Sequence, residues 1–279
     1  MRDIVVAAVC MESSPLEMKK NLDKTFEYSL AAKREGAEIV CFPELSITGY
    51  LLDGFDGLYV KEGMDELVEV LKDVAAETGI VIMAGLVDVE NAGRPMIAHF
   101  VFHPDGRVMV HRKTHLSQQE KALYGEGNEV KVFEASGISF GIQLCYEGHF
   151  PELSSIMALL GAEVIFFPHA SPRGTPDDKL TSWSRHLTAR AYDNSLFVVA
   201  CNQVGAFRRG VFFPGVALIL GPDGKAIACY RGKNERILLA ELRSDVLKQI
   251  RENSMRFFLN SRRPELYKGI LSYYLKNPG

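Results

Sequence analysis

The sequence predicts an α/β protein made of two similar halves, each of which mixes strands with helices. The main observation is an internal repeat, because residues 36–43 read GAEIVCFP and residues 161–168 read GAEVIFFP, each after a predicted helix. A Pro-Asp-Gly turn follows each copy at a similar offset, at residues 104–106 and 222–224. Since each sheet must bury a face, two such halves favour two mixed sheets packed face to face with helices outside. Chance similarity between two ordinary buried strands is the alternative.

The composition is that of a globular protein with no charged or apolar segment set apart. The chain has 279 residues, of which 47% are hydrophobic and 24% charged, so it can bury a real core. A formal net charge of -3 argues against nucleic acid or an anionic membrane as the main partner. The apolar run at residues 4–11 is too short to span a membrane. No linker divides the chain, so we expect one domain over residues 1–279, with a tail from about residue 250 that packs on a neighbouring subunit.

The cysteines are scattered and odd in number. They are Cys10, Cys41, Cys145, Cys201 and Cys229, and no two of them form a C-x-x-C pair. This pattern predicts neither a disulfide framework nor a zinc site, and it favours a reducing, cytoplasmic location.

In the first half, apolar runs alternate with helical patterns. Residues 4–10 are typical of a strand, and the helical spacing of residues 16–34 ends at Gly36. Residues 37–42 are a continuous apolar strand that leads into Pro43 and Glu44. The remaining elements, bounded by Gly and Pro, are a loop at 51–57, a helix at 64–77, a strand at 80–89, and a hairpin of strands 95–103 and 107–113.

The second half repeats this alternation. We expect a strand pair at 130–134 and 138–144, then a helix that starts near Pro151 and stops at Gly161. A strand and a helix follow, and the half closes with several strands. These further elements are a strand at 163–167, a helix at 179–192, strands at 195–201, 211–220, 225–230 and 236–242, and an extended tail through 262–267.

Cys145 lies where the predicted strand 138–144 turns sharply toward a helix. Such a turn lifts a side chain out of the sheet and leaves backbone N–H groups without partners in the sheet. Those donors can lower the pKa of a thiol and bind a developing oxyanion. Cys145 is therefore a candidate nucleophile, and a buried structural cysteine is the alternative.

Glu44 and Lys113 also follow predicted strands. Functional side chains gather at strand ends in open α/β sheets, and a partly desolvated carboxylate there has a raised pKa that suits a general base. The alternatives are a surface glutamate and a solvated lysine. No Ser-His-Asp or Cys-His-Asn arrangement is evident, although His149 or His169 could pair with Cys145. Walker, H-E-x-x-H and G-x-G-x-x-G motifs are absent from the sequence.

Three segments in this order resemble the nitrilase, or carbon–nitrogen hydrolase, superfamily. They read FPEL with TGY at residues 42–50, RKTHL at 112–116, and CYE with FPE at 145–152. Matches at residues 189–194, 202–205 and 263–267 extend the likeness over almost the whole chain. The resemblance implies the family's four-layer α-β-β-α sandwich with internal pseudo-symmetry. It also implies association through the helical faces into a homodimer or a larger homo-oligomer.

The resemblance assigns roles to four residues. Glu44 corresponds to the general base, Lys113 to the stabiliser of the oxyanion, Cys145 to the nucleophile, and Glu120 to an additional active-site glutamate. In the implied reaction, Cys145 forms a thioester with a small amide or N-carbamoyl compound, ammonia or an amine leaves, and water hydrolyses the thioester. This chemistry requires no metal and no organic cofactor.

Three positions bear on the branch of the family. Many amide-cleaving members read Cys-Tyr-Asp-x-Arg-Phe-Pro-Glu, whereas this chain has Glu147 and His149 at the Asp and Arg positions. Tyr146 stands where nitrile-cleaving branches carry Trp. The additional domain of the glutamine-dependent synthetases and the membrane segments of the lipoprotein acyltransferases are not expected. We therefore favour an amidase or N-carbamoyl hydrolase over a nitrilase.

Two further alternatives belong to other classes of protein. One is a non-catalytic binding protein on the same fold. The other is a thiol enzyme of redox or cysteine-protease type that uses His149 as its base. The second alternative lacks a resolving cysteine near Cys145 and leaves Glu44 and Lys113 without a role.

The loop at residues 168–174 follows the repeat strand of the second half, as Glu44 follows that of the first. By the resemblance this loop helps form the substrate pocket, and Arg173 could hold a substrate carboxylate in two-point fashion. An ion pair of Arg173 with Asp177 or Asp178 is the alternative. The complete set of expected substrate-binding residues is Tyr50, Tyr146, His149, His169, Arg173 and Asn202.

Overall fold

Two six-stranded mixed sheets lie at the centre of the protein, in a computed structural model that describes residues 1–51, 61–89, 94–206 and 210–276. The first sheet contains, in spatial order, β14 (Arg236–Leu242), β1 (Ile4–Cys10), β2 (Ile39–Cys41), β3 (Val81–Asp88), β4 (Met96–Phe102) and β5 (Val108–Arg112). The second contains β13 (Ala226–Gly232), β12 (Gly215–Leu220), β9 (Phe197–Asn202), β8 (Val164–His169), β7 (Ile138–Ile142) and β6 (Phe133–Ala135).

The two sheets repeat one strand pattern. In the first, β1, β2 and β3 are parallel, and in the second β7, β8 and β9 are parallel. An antiparallel edge strand flanks each trio on one side, and an antiparallel hairpin flanks it on the other. The sequence repeat contributes β2 and β8, which occupy the same middle place in each trio. The predicted pseudo-symmetry of the two halves is therefore confirmed.

Helices cover the outer face of each sheet. Those on the first sheet are α1 (Met18–Arg34) and α2 (Lys61–Thr78), and those on the second are α4 (Pro151–Leu159) and α5 (Pro176–Asn194). The other helices are α3 (Gln118–Lys121), α6 (Ser244–Arg251) and α7 (Pro264–Lys276). The largest apolar cluster joins the inner faces of the two sheets, through residues such as Met83 on β3 and Phe166 on β8. Separate clusters bind α2 to the first sheet and α5 to the second, through Leu71 and Trp183. The predicted four-layer sandwich is confirmed.

Burial on both faces explains why the central strands could be predicted from the sequence. All three residues of β2 and all six of β8 are buried. Parallel strands between two layers have no solvent-facing side, so they appear as continuous apolar runs rather than alternating ones. The same parallel arrangement places the residues that follow β2 and β8 at one edge of their sheets.

Some predicted boundaries were wrong, for local reasons. The single strand expected at residues 211–220 is divided at Pro214, which has no N–H for a central ladder, into β11 (Phe212–Phe213) and β12. Here β11 pairs with β10 (Gly205–Ala206) in a small separate sheet. The helix expected at 179–192 begins earlier, at Pro176, because Thr175 and Asp178 form a capping box. The strand expected at 130–134 is shorter, since β6 covers only Phe133–Ala135.

The C-terminal tail is helical where we expected an extended segment. Pro264 starts α7, as a first-turn proline can, because its missing N–H has no partner in a helix anyway. Before α7, Leu259 packs in the outer cluster of the second sheet. Packing of the tail on a neighbouring subunit stays a prediction. The loop expected at 51–57 lies, apart from Leu51, outside the described residues, and no described helix is long and apolar enough to cross a membrane.

Candidate active site

The four residues expected to carry the chemistry come together where strands of the two sheets end. Glu44 follows β2, Lys113 follows β5, and Cys145 follows β7. Glu120 lies in the short helix α3, whose N-terminus is capped by Ser117. Three of the four side chains are almost completely enclosed, since Glu44, Lys113 and Glu120 are 1%, 0% and 2% exposed. Residues from both sheets therefore form one buried polar cluster.

Lys113 binds both carboxylates of this cluster. Its Nζ donates to Glu44 Oε1 at 2.6 Å and to Glu120 Oε1 at 2.8 Å. Burial disfavours the charge on Lys113, but the negative charges of Glu44 and Glu120 outweigh it and raise the pKa of the ammonium. Lys113 therefore stays protonated and holds the two glutamates on either side of one positive charge.

The two glutamates differ in the number of donors that they receive. Glu120 also accepts hydrogen bonds from Tyr50 Oη at 3.0 Å and from Ser117 N at 2.7 Å. Glu44 has one further donor, the N–H of Ala170, at 3.0 Å from Oε2. Burial raises the pKa of Glu44 to about 7, against the attraction of Lys113. For Glu120, burial acts in the same direction, but Lys113 and Ser117 overcome it and lower the pKa. Glu44 is thus the carboxylate that can exchange a proton near neutral pH.

Cys145 begins the tight turn Cys145–His149 in a left-handed backbone conformation, with φ of 41°. This conformation is unusual for a residue other than glycine and asparagine, and it turns the chain out of β7. Burial and the negative charge of Glu44 raise the pKa of the Cys145 thiol, while the charge of Lys113 opposes them. The thiol is therefore neutral near pH 7, and a base must remove its proton before it can act as a nucleophile.

Glu147, which we noted only as a departure from the family pattern, ties two parts of the site together. Its buried carboxylate accepts hydrogen bonds from Thr114 N at 2.7 Å and from Leu144 N at 2.6 Å. It also accepts from Thr114 Oγ1 at 2.6 Å and lies 2.9 Å from His111 Nε2. Thr114 directly follows Lys113, and Leu144 directly precedes Cys145. Glu147 therefore fixes the chain segment with Lys113 against the segment with Cys145.

Replacement of Glu147 with glutamine is expected to destabilise the protein at neutral pH. Burial alone would raise the pKa of Glu147. The charge of His111 and the hydrogen bonds from His111, Thr114 and Leu144 outweigh burial and lower that pKa from 4.5 to about 2. A depressed pKa of this size corresponds to stability on the order of 3 kcal/mol. That stability is present above the unfolded pKa of 4.5 and is lost as pH falls through about 2.

Urea denaturation between pH 2 and pH 7 measures this contribution. The difference in free energy of unfolding between wild type and Glu147→Gln should be largest at pH 7 and should shrink below pH 4.5. Glu134→Gln, at an exposed position on β6, serves as the control and should change little at any pH. An equal effect of the two substitutions at pH 7 would contradict the structural role of Glu147.

The loop after β8 approaches Glu44 from the second sheet. Ala170 N–H donates to Glu44, and the next residue, Ser171, exchanges two hydrogen bonds with the Asn202 side chain, at 2.8 and 3.1 Å. Asn202 Nδ2 also donates to Pro214 O at 2.8 Å. Three backbone contacts thus hold the Asn202 amide, which supports the loop. The Lys179 Nζ, on α5, donates to Ser171 Oγ at 2.7 Å and to Pro172 O at 3.0 Å.

The other expected substrate-binding residues lie at different depths. Tyr50 reaches Glu120, as described above. His169 is buried, its Nδ1 lies 2.8 Å from Phe167 O, and its ring lies 4.1 Å from that of Trp183. Tyr146, His149 and Arg173 keep more exposure than His169, and Arg173 has a left-handed φ of 73°.

Among the residues that the structure describes, Cys145 forms no pair with a histidine, and Arg173 forms no ion pair with Asp177 or Asp178. Within the part of the chain that the structure describes, no histidine nitrogen lies within hydrogen-bond distance of Cys145 Sγ. Asp177 pairs instead with Arg231 at 3.0 Å, and Asp178 accepts from Thr175 Oγ1 at 2.7 Å. Among residues 1–51, 61–89, 94–206 and 210–276, no group of three His, Cys, Asp or Glu side chains is placed to hold a metal ion.

The sequence analysis gave no structural role to Glu147, His111 or Lys179. Glu147 was visible as a change within a motif, but its partners are distant in sequence, since His111 lies on β5 and Thr114 follows that strand. Lys179 stands in a polar helical segment after Asp177 and Asp178, where a lysine carries no signal of its own.

The protein is thus a four-layer α-β-β-α sandwich in which a glutamate, a lysine and a cysteine meet where strands of the two sheets end. A solved structure of a variant of an amidase from Nesterenkonia AN1, described as from the nitrilase superfamily, has the same fold. Its TM-score is 0.84 and its sequence identity 23%, and the match covers 95% of this chain and 96% of that chain.

The chain belongs to the carbon–nitrogen hydrolase family, whose sequence model matches residues 5–252. It is 30% identical to a protein of Pyrococcus abyssi named nitrilase, over 95% of this chain and 99% of that protein. It is 30% identical to omega-amidase NIT2-A of Xenopus laevis, over 83% and 86% of the two chains. For N-carbamoylputrescine amidase of Solanum tuberosum the identity is 29%, over 89% and 88%. The chain is therefore a carbon–nitrogen hydrolase, and the predicted resemblance and enzyme class are confirmed.

Proposed function

We propose that this enzyme hydrolyses the C–N bond of a small amide or N-carbamoyl compound through a thioester on Cys145. The observation that carries the proposal is the buried cluster in which one ammonium, that of Lys113, lies between Glu44 and Glu120 beside a neutral thiol. Such a cluster supplies a base, a positive charge for an oxyanion and a nucleophile in one place.

In the first half-reaction, Glu44 takes the proton of the Cys145 thiol as Sγ attacks the carbonyl carbon of the substrate. The carbonyl oxygen becomes an oxyanion, which the Lys113 ammonium and the backbone N–H of Tyr146 stabilise. The C–N bond then breaks, Glu44 returns its proton to the leaving nitrogen, and ammonia or an amine departs. The acyl or carbamoyl group remains bonded to Sγ.

In the second half-reaction, Glu44 is again a carboxylate and removes a proton from a water molecule. The resulting hydroxide equivalent attacks the thioester carbon, and the oxyanion occupies the same place beside Lys113. The C–S bond breaks, the proton on Glu44 returns to the thiol, and the acid or carbamate leaves. Glu120 keeps its negative charge throughout, because its additional donors stabilise it, and so helps hold Lys113 protonated.

The names of the relatives favour amides and carbamoyl compounds over nitriles. Two relatives are named omega-amidase and N-carbamoylputrescine amidase, whereas the Pyrococcus abyssi relative is named nitrilase. The test is a panel of small amides, N-carbamoyl compounds and nitriles, with ammonia release measured and the trapped enzyme analysed by mass spectrometry. Turnover of nitriles alone would make the enzyme a nitrilase. Absence of turnover and of any Cys145 adduct over the whole panel would favour a non-catalytic binding protein.

Replacement of Lys113 with methionine is expected to reduce kcat by about 10²–10³-fold, the scale of losing one oxyanion donor. The loss should fall mainly on kcat, because the charge is needed most when the oxyanion forms. Lys121→Met is the matched control, since Lys121 is exposed in the same segment and forms an ion pair with exposed Glu126. A variant at Lys113 with near-normal kcat would remove Lys113 from the proposed mechanism.

We also propose that the enzyme associates into a homodimer or a larger homo-oligomer through the helical layer on the second sheet. Large apolar side chains remain exposed in this layer, among them Leu159 at 62%, Leu160 at 58% and Tyr192 at 45%. Exposed apolar groups that lie together favour association with another protein surface.

Replacement of Leu159 with glutamate is expected to shift the oligomer toward monomer, because it places a charge in the proposed contact. Light scattering after size-exclusion chromatography measures the mass. Val70→Glu, on α2 in the opposite helical layer, is the control and should leave the mass unchanged. If only the control dissociated the oligomer, the contact would lie on the other layer.

We propose a reducing, cytoplasmic location for the enzyme. The support is that all five cysteines are free thiols, three of them buried. Fractionation of the source cells with detection of this chain would test the location.

A further inference from the structure

A second lysine, Lys179, is bound to the loop after β8, which contacts Glu44. It is partly buried in the first turns of α5, and its Nζ donates to Ser171 Oγ at 2.7 Å and to Pro172 O at 3.0 Å. These bonds fix the ammonium over the loop that follows β8. Because an ammonium has three N–H donors, they use two of its three.

The loop brings Lys179 to the reacting residues. Ala170 donates its N–H to Glu44, and Ser171, the next residue, accepts from Lys179. The positive charge of Lys179 lowers the pKa of the Cys145 thiol, although burial, Glu44 and Glu120 act more strongly to raise it. The same charge acts on the imidazole of His169. Lys179 is therefore bound to the loop that contacts Glu44, and its charge acts on the Cys145 thiol.

Lys179 is partly buried and has no carboxylate counter-ion among the described residues. Over the described ranges, no carboxylate lies within 4.0 Å of its Nζ, and Glu44 and Glu120 are both bound to Lys113. Burial lowers the pKa of the Lys179 ammonium. By contrast, Lys20 and Lys72 pair with carboxylates three residues earlier in the chain, Glu17 and Glu69. A partly desolvated cation without an anionic partner is unfavourable, so an anion that binds here gains more than it would at a solvated lysine.

Ser171 adds a second donor at the same place. Its Oγ accepts from Lys179, and a hydroxyl that accepts one bond still has its own hydrogen to donate. The Lys179 ammonium and the Ser171 hydroxyl can thus each donate to one oxygen of a carboxylate. Charge-assisted, two-point binding of this kind is the strong and selective way to hold such a group.

We propose that Lys179, with Ser171, binds a carboxylate of the substrate, so that the enzyme acts on an amide or carbamoyl compound that also bears an acid group. This assignment rests on the proposed function of Cys145 and places the anion on Lys179 rather than on the more exposed Arg173. In this arrangement the acid group of the bound substrate contacts the loop after β8.

The test compares acid substrates with their methyl esters, which differ mainly in charge. Succinamate and methyl succinamate form one pair, and N-carbamoylglycine and its methyl ester form another. In wild type we expect the acid of at least one pair to have the higher kcat/KM. Lys179→Met should lower kcat/KM for that acid on the order of 10- to 100-fold, the scale of a hydrogen bond to a charged group, mainly through KM. The ester should change much less, and Lys179→Arg should recover part of the loss.

Two controls separate charge recognition from a shift of the loop. Loss of the Lys179 bonds to Ser171 and Pro172 would impair acid and ester alike, so the acid-to-ester ratio is the decisive quantity. Arg185→Met, which removes an exposed cation from the same helix, should leave that ratio unchanged. An unchanged ratio in Lys179→Met, or a change found only in Arg173→Met, would overturn the assignment.

A second measurement does not depend on turnover. Succinate should protect Cys145 from alkylation by iodoacetamide in wild type, and much less in Lys179→Met. Equal protection in both proteins, or none in wild type, would overturn the role of Lys179. Cleavage of the C–N bond of the methyl-ester substrates, with a Cys145 adduct, would persist in that case, so the proposed function would stand. If neither pair is hydrolysed but protection depends on Lys179, the anion site stands, and the panel of amides, N-carbamoyl compounds and nitriles decides the proposed reaction.

Discussion

Replacement of Cys145 with alanine is expected to abolish turnover, with a loss on the order of 10⁶-fold in kcat, the scale found when a hydrolase loses its nucleophile. No other group of the cluster can take the place of the thiol, because Glu44 and Glu120 are bound to Lys113. Cys145 retains some exposure and forms no described hydrogen bond through Sγ, so the melting temperature should change little. Ammonia release and thermal unfolding measure the two effects.

Replacement with serine should be almost as damaging, although it changes a single atom. The hydroxyl proton is held more tightly than that of the thiol, and Glu44, with a pKa of about 7, is too weak a base to remove it readily. The matched control is Cys229→Ser, since Cys229 is an exposed thiol on β13 and should be dispensable. Inactivation by iodoacetamide that labels Cys41 or Cys201 and leaves Cys145 free would contradict the proposal.

The sequence contained the site in outline because each part has a local signal. Glu44, Lys113 and Cys145 each follow a strand whose apolar run could be recognised, and each lies in a motif of the family. The order of the strands in space, by contrast, depends on contacts between distant residues. The pairing of β14 with β1, which joins the C-terminal part of the chain to the first strand, has no local pattern that predicts it.

Several errors concerned the boundaries of strands and helices. In these cases the sequence contained a local boundary signal, but a longer apolar or polar pattern dominated the prediction. Pro214 interrupts an apolar run that otherwise is typical of one strand, and its missing N–H decided the break. Thr175 and Asp178 form a capping box that starts α5 before its apolar spacing becomes visible. Pro264 starts α7 in the same way. In each case a single backbone feature set the boundary.

The electrostatic balance of the site could not be read from the sequence at all. Lys113 and Glu120 are seven residues apart, but Glu44 and Ala170 come from different halves of the chain. The two glutamates differ only because of the contacts that each makes in the buried cluster. Glu44 binds a proton near pH 7, whereas Glu120 stays charged. Lys179 became a candidate for the same reason, because its importance depends on what surrounds it.

Replacement of Glu44 with glutamine is expected to reduce kcat by about 10⁴-fold or more, the upper range for general acid–base catalysis. The loss is large because one carboxylate serves both half-reactions, first with the thiol and then with water. In wild type, kcat/KM should rise as pH increases through about 7, where Glu44 loses its proton. The residual activity of the variant should lack this step, because glutamine does not titrate. Glu134→Gln, at an exposed position, should keep both the rate and the step.

Stability provides the decisive contrast for Glu44. Its pKa in the folded protein, about 7, lies above the value of 4.5 that is usual for glutamate. A raised pKa contributes stability that is fully present below pH 4.5 and is lost as pH rises through about 7. Glutamine stays neutral, so the variant should not lose stability over that interval and should be at least as stable as wild type at pH 8. Loss of activity without loss of stability at pH 8 is what a catalytic carboxylate predicts. If Glu44→Gln instead unfolded readily at pH 8 and kept its rate, Glu44 would be a structural partner of Lys113 and not the base.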